Sequence, residues 1–199
     1  MHVRAARSED RAAIAAVWRD AFLEDPVWAA ILPDPSRRGA QLFALFSRLL
    51  ASRWLRRDLV HVVEHEGVVR AAAAWSRPGE WKTTAREIVG LGPGLLFALG
   101  TRAAHGLVAL ERVERHHPLH AHFYLAIIGT AASFQGRGAG AALLAEVLPA
   151  CDRARLPAYL ESSNPRNQPF YRRHGFVADR EIPTIGSASV TPMTRPPRG

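Results

Sequence analysis

The sequence predicts an α/β fold, a single domain with a mixed central β-sheet flanked by helices. Three observations carry that expectation. At 199 residues, with 48% hydrophobic and 22% charged content, the chain can bury one substantial core and is short for two. Helix-like and strand-like segments alternate along it without internal repeats, as they do in α/β domains. Its centre holds a strand–loop–helix unit: the apolar run Phe123–Ile128, the loop Gln135-Gly136-Arg137-Gly138-Ala139-Gly140, and the apolar-striped segment Ala141–Leu148.

In chain order, Val3 to Ala5 reads as a short strand. Ser8 then reads as a helix cap, with Glu9 and Asp10 favouring the positive end and Ile14, Val17, Trp18 and Phe22 on one face. Asp25-Pro26 breaks that helix. Ser36 is expected to open a second one, which carries Leu42, Phe43, Phe46, Leu49 and Leu50. Residues 59–64 and 68–76 read as two strands joined at His65-Glu66-Gly67, where glycine supplies the positive φ of a tight turn. Residues 84–115 are apolar but broken by Gly90, Gly92, Pro93 and Gly94, and read as two helices, the second starting near Gly94. Such a connection either shapes a substrate pocket or only packs. After the central unit come a strand at Ala158–Ser162, a short helix ending before Gly175, a strand at 176–181 and a last strand at 189–194. The domain therefore spans 1–194, and 195–199 is expected to be a disordered tail.

Composition narrows the function. The formal net charge of +8 invites a nucleic-acid reading, but Lys82 is the only lysine, and the arginines are scattered pairs (Arg37-Arg38, Arg56-Arg57, Arg172-Arg173) without a basic block. Heavy arginine and alanine use together look like GC-rich coding, and no nucleic-acid partner is expected. The longest greasy stretch, Leu95–Leu99, is too short to cross a bilayer, and the N-terminus lacks the apolar region of a secretory signal. The expectation is a cytoplasmic protein with no membrane partner. The lone Cys151 excludes an internal disulfide and reads as packing. His116, His117, His120 and His122 have the look of metal ligands, but Pro118 interrupts them and no Cys, Asp or Glu sits alongside, so no metal is expected.

The glycine loop is the candidate binding element. Alternating glycines let backbone N–H groups turn inward, and the following helix adds partial positive charge, which together suit a phosphate or pyrophosphate. Arg137 could add a charge-assisted contact. By itself such a loop is equally a geometric turn. Its third glycine comes too early for a dinucleotide fingerprint, and no Lys-Ser or Lys-Thr pair follows as in a P-loop.

Downstream lies Tyr159-Leu160-Glu161-Ser162-Ser163-Asn164-Pro165-Arg166-Asn167-Gln168-Pro169-Phe170-Tyr171, then Gly175-Phe176. Strand, glycine loop, helix, strand and this asparagine-to-Phe-Tyr segment together resemble the GCN5-related N-acetyltransferase (GNAT) superfamily. The wording of the segment resembles its puromycin N-acetyltransferase-like branch. The motif-level resemblance runs from His116 to Phe176, is only architectural before Ala74, and is faint after Glu181.

The resemblance implies acetyl-CoA as cofactor and direct acetyl transfer to a primary amine of a small molecule, such as an aminonucleoside, an antibiotic or an amino-acid-like acceptor. Ile128, Gly129 and Thr130 would then bind the pantetheine arm, with the Ile128 N–H as oxyanion donor. Gln135, Gly136, Arg137, Gly138, Ala139 and Gly140 would hold the pyrophosphate. Asn164 and Asn167 are further cofactor contacts or simply helix caps. The sequence departs from the usual pattern at Thr130, where an apolar β-branched residue is common, and at Ala132, where proline often stands. Tyr171 matches the family tyrosine that protonates the leaving thiolate; otherwise it is a packing aromatic. Glu161 is the candidate general base, since a carboxylate on a central strand is costly unless used or paired, and an arginine partner is the alternative. His122 and Tyr124 are candidate substrate contacts, with His122 an alternative base. Two other classes remain open on sequence: a CoA-binding sensor without turnover, and an arginine-rich nucleic-acid binder.

Overall fold

The computed structural model describes residues 1–56, 59–82, 84 and 99–198. In chain order it has β1 (His2–Ala5), α1 (Arg11–Phe22), α2 (Pro26–Ile31), α3 (Pro35–Ser52), β2 (Val60–His65), β3 (Val68–Ser76) and α4 (Ala103–His116). Then follow β4 (Phe123–Thr130), α5 (Ala139–Ala154), β5 (Ala158–Ser162), α6 (Gln168–Arg173), β6 (Val177–Ala178), β7 (Ile182–Pro183) and β8 (Ser189–Arg195). The strands form one mixed sheet in the order β1-β2-β3-β4-β5-β8-β6, with β7 beside β8. Among the described residues only β4 and β5 run parallel, joined through α5, and every other pair is antiparallel.

Each face of the sheet has its own core. Ile14, Trp18, Leu42, Phe46 and Leu50 of α1 and α3 pack on Val60, Val62, Ala72, Ala74 and Ile127. On the other face Leu143, Leu144, Val147 and Cys151 of α5 pack on Val63, Ala71, Ala73, Trp75, Leu125 and Leu160. Cys151 is fully buried, and burial pushes its thiol up to about 11, which makes it an inert packing residue.

The hairpin turn forms as expected. Glu66 and Gly67 both take positive φ (53° and 73°), the geometry that matches the twist of flanking strands. The caps differ from expectation. Ser8 lies in a short 3-10 turn (Ser8–Asp10), and α1 begins at Arg11. Asp34, not Ser36, caps α3: its carboxylate accepts from the Ser36 N–H (2.9 Å) and Pro35 takes the first turn. Asp25-Pro26 ends one helix but opens α2, because Asp25 accepts from the Val27 and Trp28 N–H groups. The strand expected over 176–181 is only Val177–Ala178. β8 extends through Arg195, one residue past the expected domain boundary, and the tail is not loose up to Arg198: Arg195 pairs with Asp152 at 2.8 Å, which also accepts from the Arg198 N–H. The first helix expected within 84–115 and the start of the second lie outside the described residues; the rest of the second is α4.

Candidate active site

β4 and β5 pair only at their starts, Phe123 with Ala158 and Tyr124 with Tyr159, and then separate. The splay opens a groove of ≈ 810 Å³ between the strand ends, the glycine loop, α1 and α6. Ile128, Gly129 and Thr130 line it from β4; Gln135, Gly136, Gly138, Ala139 and Gly140 from the loop; and Asn164, Asn167 and Tyr171 from the far side. The structure thus brings together the cofactor residues expected from sequence, except Arg137, whose guanidinium lies over the Phe134 ring at 5.2 Å, outside the lining.

The three loop glycines serve two purposes. Gly136 and Gly138 hold positive φ (74° and 81°), which turns the chain into α5. Gly140 has no such constraint; a Cβ there would come within 3.1 Å of the Phe170 ring. Gly129 is tighter still, since α1 crosses β4 at this point and a Cβ would lie 2.9 Å from Trp18 and 3.0 Å from Ala21. The first residues of α5, Ala139, Gly140 and Ala141, line the groove, and Arg166, Arg173 and His174 line the same space. An anionic pyrophosphate fits this donor set. Asn164 is both a groove residue and a cap, accepting from the Arg166 N–H at 3.0 Å; Asn167 lines the groove without a side-chain capping bond.

Tyr171 is buried, with its ring against Phe170 and Phe176. Burial, and then the charge of Asp25, push its phenol well above the ordinary value, so it stays protonated through the neutral range. Asp25 escaped notice in the sequence beyond its role as a helix breaker. It lines the groove, accepts from the Ser163 hydroxyl at 2.5 Å, and is itself pushed up by burial.

A second cavity, of ≈ 260 Å³, lies on the α2–α4 side of β4. Trp28, Trp54, Trp81, Leu49 and Leu110 make it largely apolar, and Tyr124 and Ala126 form its β4 wall. The two cavities meet on this strand because β4 is irregular. Trp75 pairs with Leu125 and Ala74 with Ile127, so Ala126 is an extra residue opposite none. Such a bulge reverses the alternation of side chains. Leu125 packs toward α5 and Ile127 toward α1 and α3.

Glu161 is nearly enclosed and lines neither cavity. Its partner is His117 (3.0 Å), not the arginine that sequence allowed. His117 in turn meets His122, and Trp81 stacks on it with centroids 3.8 Å apart. Glu161 pushes the phenols of Tyr124 and Tyr159 up, after burial as the larger cause. The histidines seen as a possible ligand set are therefore engaged elsewhere: His117 and His122 with each other, and His116 Nδ1 with the Arg112 carbonyl. His117 is the residue whose importance sequence did not reveal, since its partners lie five and 44 positions away.

Residues 90–178 match the family model of the acetyltransferase (GNAT) domain. Among solved structures the chain is similar to one from Corynebacterium glutamicum, described as histone acetyltransferase HPA2 and related acetyltransferase. That structure is 28% identical over 99% of this chain and 96% of its own, with TM-score 0.74. An N-acetyltransferase from Staphylococcus aureus is 18% identical over 98% of this chain and 100% of its own (TM-score 0.60). Arylalkylamine N-acetyltransferase 2 from Aedes aegypti is 13% identical over 99% of each chain (TM-score 0.61). With its splayed strands and glycine loop, the chain has the GNAT fold, and residues 90–178 are the part that matches the acetyltransferase (GNAT) domain. It is an enzyme, a GNAT-type N-acetyltransferase.

Proposed function

We propose that this enzyme transfers acetyl from acetyl-CoA directly to the primary amine of a small, largely apolar molecule. One observation carries the proposal: the apolar pocket ends at Ala126 and the groove begins at Ile128. Two residues along a strand span about 7 Å, so a thioester at the inner end of the groove and an amine at the inner end of the pocket come within reach of each other. The named acceptors of similar folds range from histones to arylalkylamines, so the fold does not choose among them. The pocket lining supports the small-molecule reading: three tryptophans and several leucines favour an aromatic or aliphatic body over a basic peptide tail. An aminonucleoside or aromatic amino-acid amide, in keeping with the puromycin-like wording of residues 159–171, fits that description.

In this reading acetyl-CoA supplies the activated acetyl group, held by the loop N–H groups, Arg166 and Arg173. The Ile128 N–H faces the thioester oxygen as negative charge develops there. Glu161 draws the proton from the amine by way of Tyr124. Tyr171, which burial keeps protonated, donates a proton to the departing thiolate.

Calorimetric titration with acetyl-CoA and with CoA is the first test, with micromolar binding expected. Thiol release is then measured with a panel of aminonucleosides, aralkylamines and lysine peptides. Release with the peptides and not with the small amines would overturn the acceptor class.

A further inference from the structure

The chain of contacts behind Glu161 allows a proton count. His117 Nδ1 lies 3.0 Å from Glu161 Oε1, His117 Nε2 lies 2.9 Å from His122 Nε2, and His122 Nδ1 lies 2.7 Å from the His120 carbonyl oxygen. A carbonyl only accepts, so His122 Nδ1 carries hydrogen, and a neutral His122 then turns a bare Nε2 toward His117. A carboxylate also only accepts, so beside an ionised Glu161 the hydrogen of His117 sits on Nδ1, leaving its Nε2 bare as well. Two lone pairs facing each other at 2.9 Å repel. The contact becomes a hydrogen bond once a further proton lies between the rings. If Glu161 is protonated instead, it donates to His117 Nδ1, and the His117 Nε2–H donates to His122. In both cases three links need three protons, one more than a carboxylate and two neutral imidazoles hold.

We propose that Glu161, His117 and His122 act as one unit that takes up the proton released by the acceptor amine and holds it between the two imidazoles. This rests on the amine-acceptor reading above. The acceptor ammonium loses H⁺ and keeps its electron pair on nitrogen; Tyr124 receives that proton and passes its own to Glu161. The unit goes from a net negative charge to neutral, which a buried site favours. After transfer the proton returns to solvent, and His120 at the end of the chain of contacts is exposed.

The surroundings fit this role. His117 lines the apolar pocket but has both nitrogens engaged, so it stores a proton and does not itself meet the amine. Tyr124 lines the same pocket, edge-on to His117 at 4.8 Å. The groups around the unit are Tyr124 and His120 with β4, Tyr159 from β5, Glu114 of α4 on the pocket wall, and Asp179 beyond Tyr159. Arg53, the C-cap of α3, bonds the Trp81 carbonyl (2.5 Å) and so keeps that ring on His117. Burial pushes the His122 imidazole below its ordinary value, and His117 is the ring that touches the carboxylate. His122 is thus a positioning residue acting through His117.

The test is long-range ¹H–¹⁵N NMR of ¹⁵N-histidine-labelled protein, followed from about pH 5 to about pH 9, the range in which imidazoles change charge. The expected result is one proton shared between the two Nε2 atoms and a single coupled step for both rings. Independent steps, or two Nε2 atoms that never share a proton, would overturn the proposal. A His122→Gln variant supplies the activity arm, because its amide N–H can bond His117 Nε2 without an extra proton. With phenethylamine as probe, kcat/KM should fall at least about tenfold and the low-pH limb of its profile should move, while KM for acetyl-CoA stays unchanged. A folded variant with the wild-type profile would also overturn it. The NMR reading needs no turnover. A failure of the amine-acceptor reading would therefore show separately, as absent thiol release from a protein whose rings share a proton.

Discussion

Replacing Tyr171 with Phe isolates one oxygen atom. The ring packs edge-on against Phe170 (5.2 Å) and Phe176 (6.0 Å), and those contacts survive the substitution. Stability should therefore change by less than about 1 kcal/mol, within the range of substitutions that open no cavity. The chemistry should change much more. Burial and Asp25 hold the phenol in its protonated form, so the wild-type enzyme has a proton available at every neutral pH. Loss of a positioned acid costs about 10²- to 10⁴-fold, or roughly 3–5 kcal/mol of activation free energy, with water recovering part of it. The assay is steady-state thiol release at saturating acetyl-CoA, paired with calorimetry of CoA binding. Turnover should drop at least about tenfold while the Kd changes by less than about threefold. Unchanged turnover would refute the acid role. Loss of turnover together with affinity would show that the hydroxyl shapes the groove and does not act on the thiolate.

Gly129→Ala should destabilise by about 1–3 kcal/mol in urea unfolding, because its Cβ meets Trp18 and Ala21 at 2.9 and 3.0 Å and α1 must move; an unchanged midpoint would mean that α1 yields freely. Arg166→Ala and Arg173→Ala should each weaken CoA binding and lessen its salt dependence, measured by calorimetry across ionic strength, since both line the groove at the loop. Arg195 depresses Asp152 to about 2, below the ordinary carboxylate value near 4. Its stabilisation is thus complete above about pH 4 and is lost as pH falls through about 2, and Asp152→Asn should flatten that part of the acid unfolding curve.

How far sequence reaches depends on how local the determinant is. The β4–α5–β5 unit, the glycine loop and the Glu66-Gly67 turn were legible because strand run, positive-φ glycine and apolar stripe are each written in adjacent residues. Helix starts were harder. Ser8 and Ser36 offered caps, but Asp25 and Asp34, each followed by proline, hold the N-terminal N–H groups of α2 and α3. The site follows the same division. The groove residues expected from sequence lie within one contiguous stretch, and the fold brings them together, whereas its α1 wall carries no such mark. Asp25 and His117 gain their meaning from Ser163, Tyr171, Glu161 and His122, which the fold brings near from distant positions. The bulge at Ala126, which sets pocket and groove end to end, is a property of the β3–β4 register and leaves no mark in the apolar run itself.

The apolar pocket makes a selectivity prediction of its own. Each methylene buried in it should contribute about 0.8 kcal/mol, about fourfold in kcat/KM, so the series from benzylamine to phenethylamine to phenylpropylamine should climb until the ≈ 260 Å³ are filled. A second ammonium at the far end would be stripped of water among tryptophans and leucines, a cost of several kcal/mol unless it is paired. Glu114 is the one carboxylate among the described lining residues, and it can offset that cost from the pocket wall. Diamines should therefore be poor substrates, and Glu114→Gln should depress them further while leaving phenethylamine untouched. If diamines outrun aralkylamines in the wild type, the cavity is not where the acceptor body sits. If Glu114→Gln slows both classes equally, the carboxylate shapes the pocket, and selectivity must come from the exclusion of charge by the aromatic walls alone.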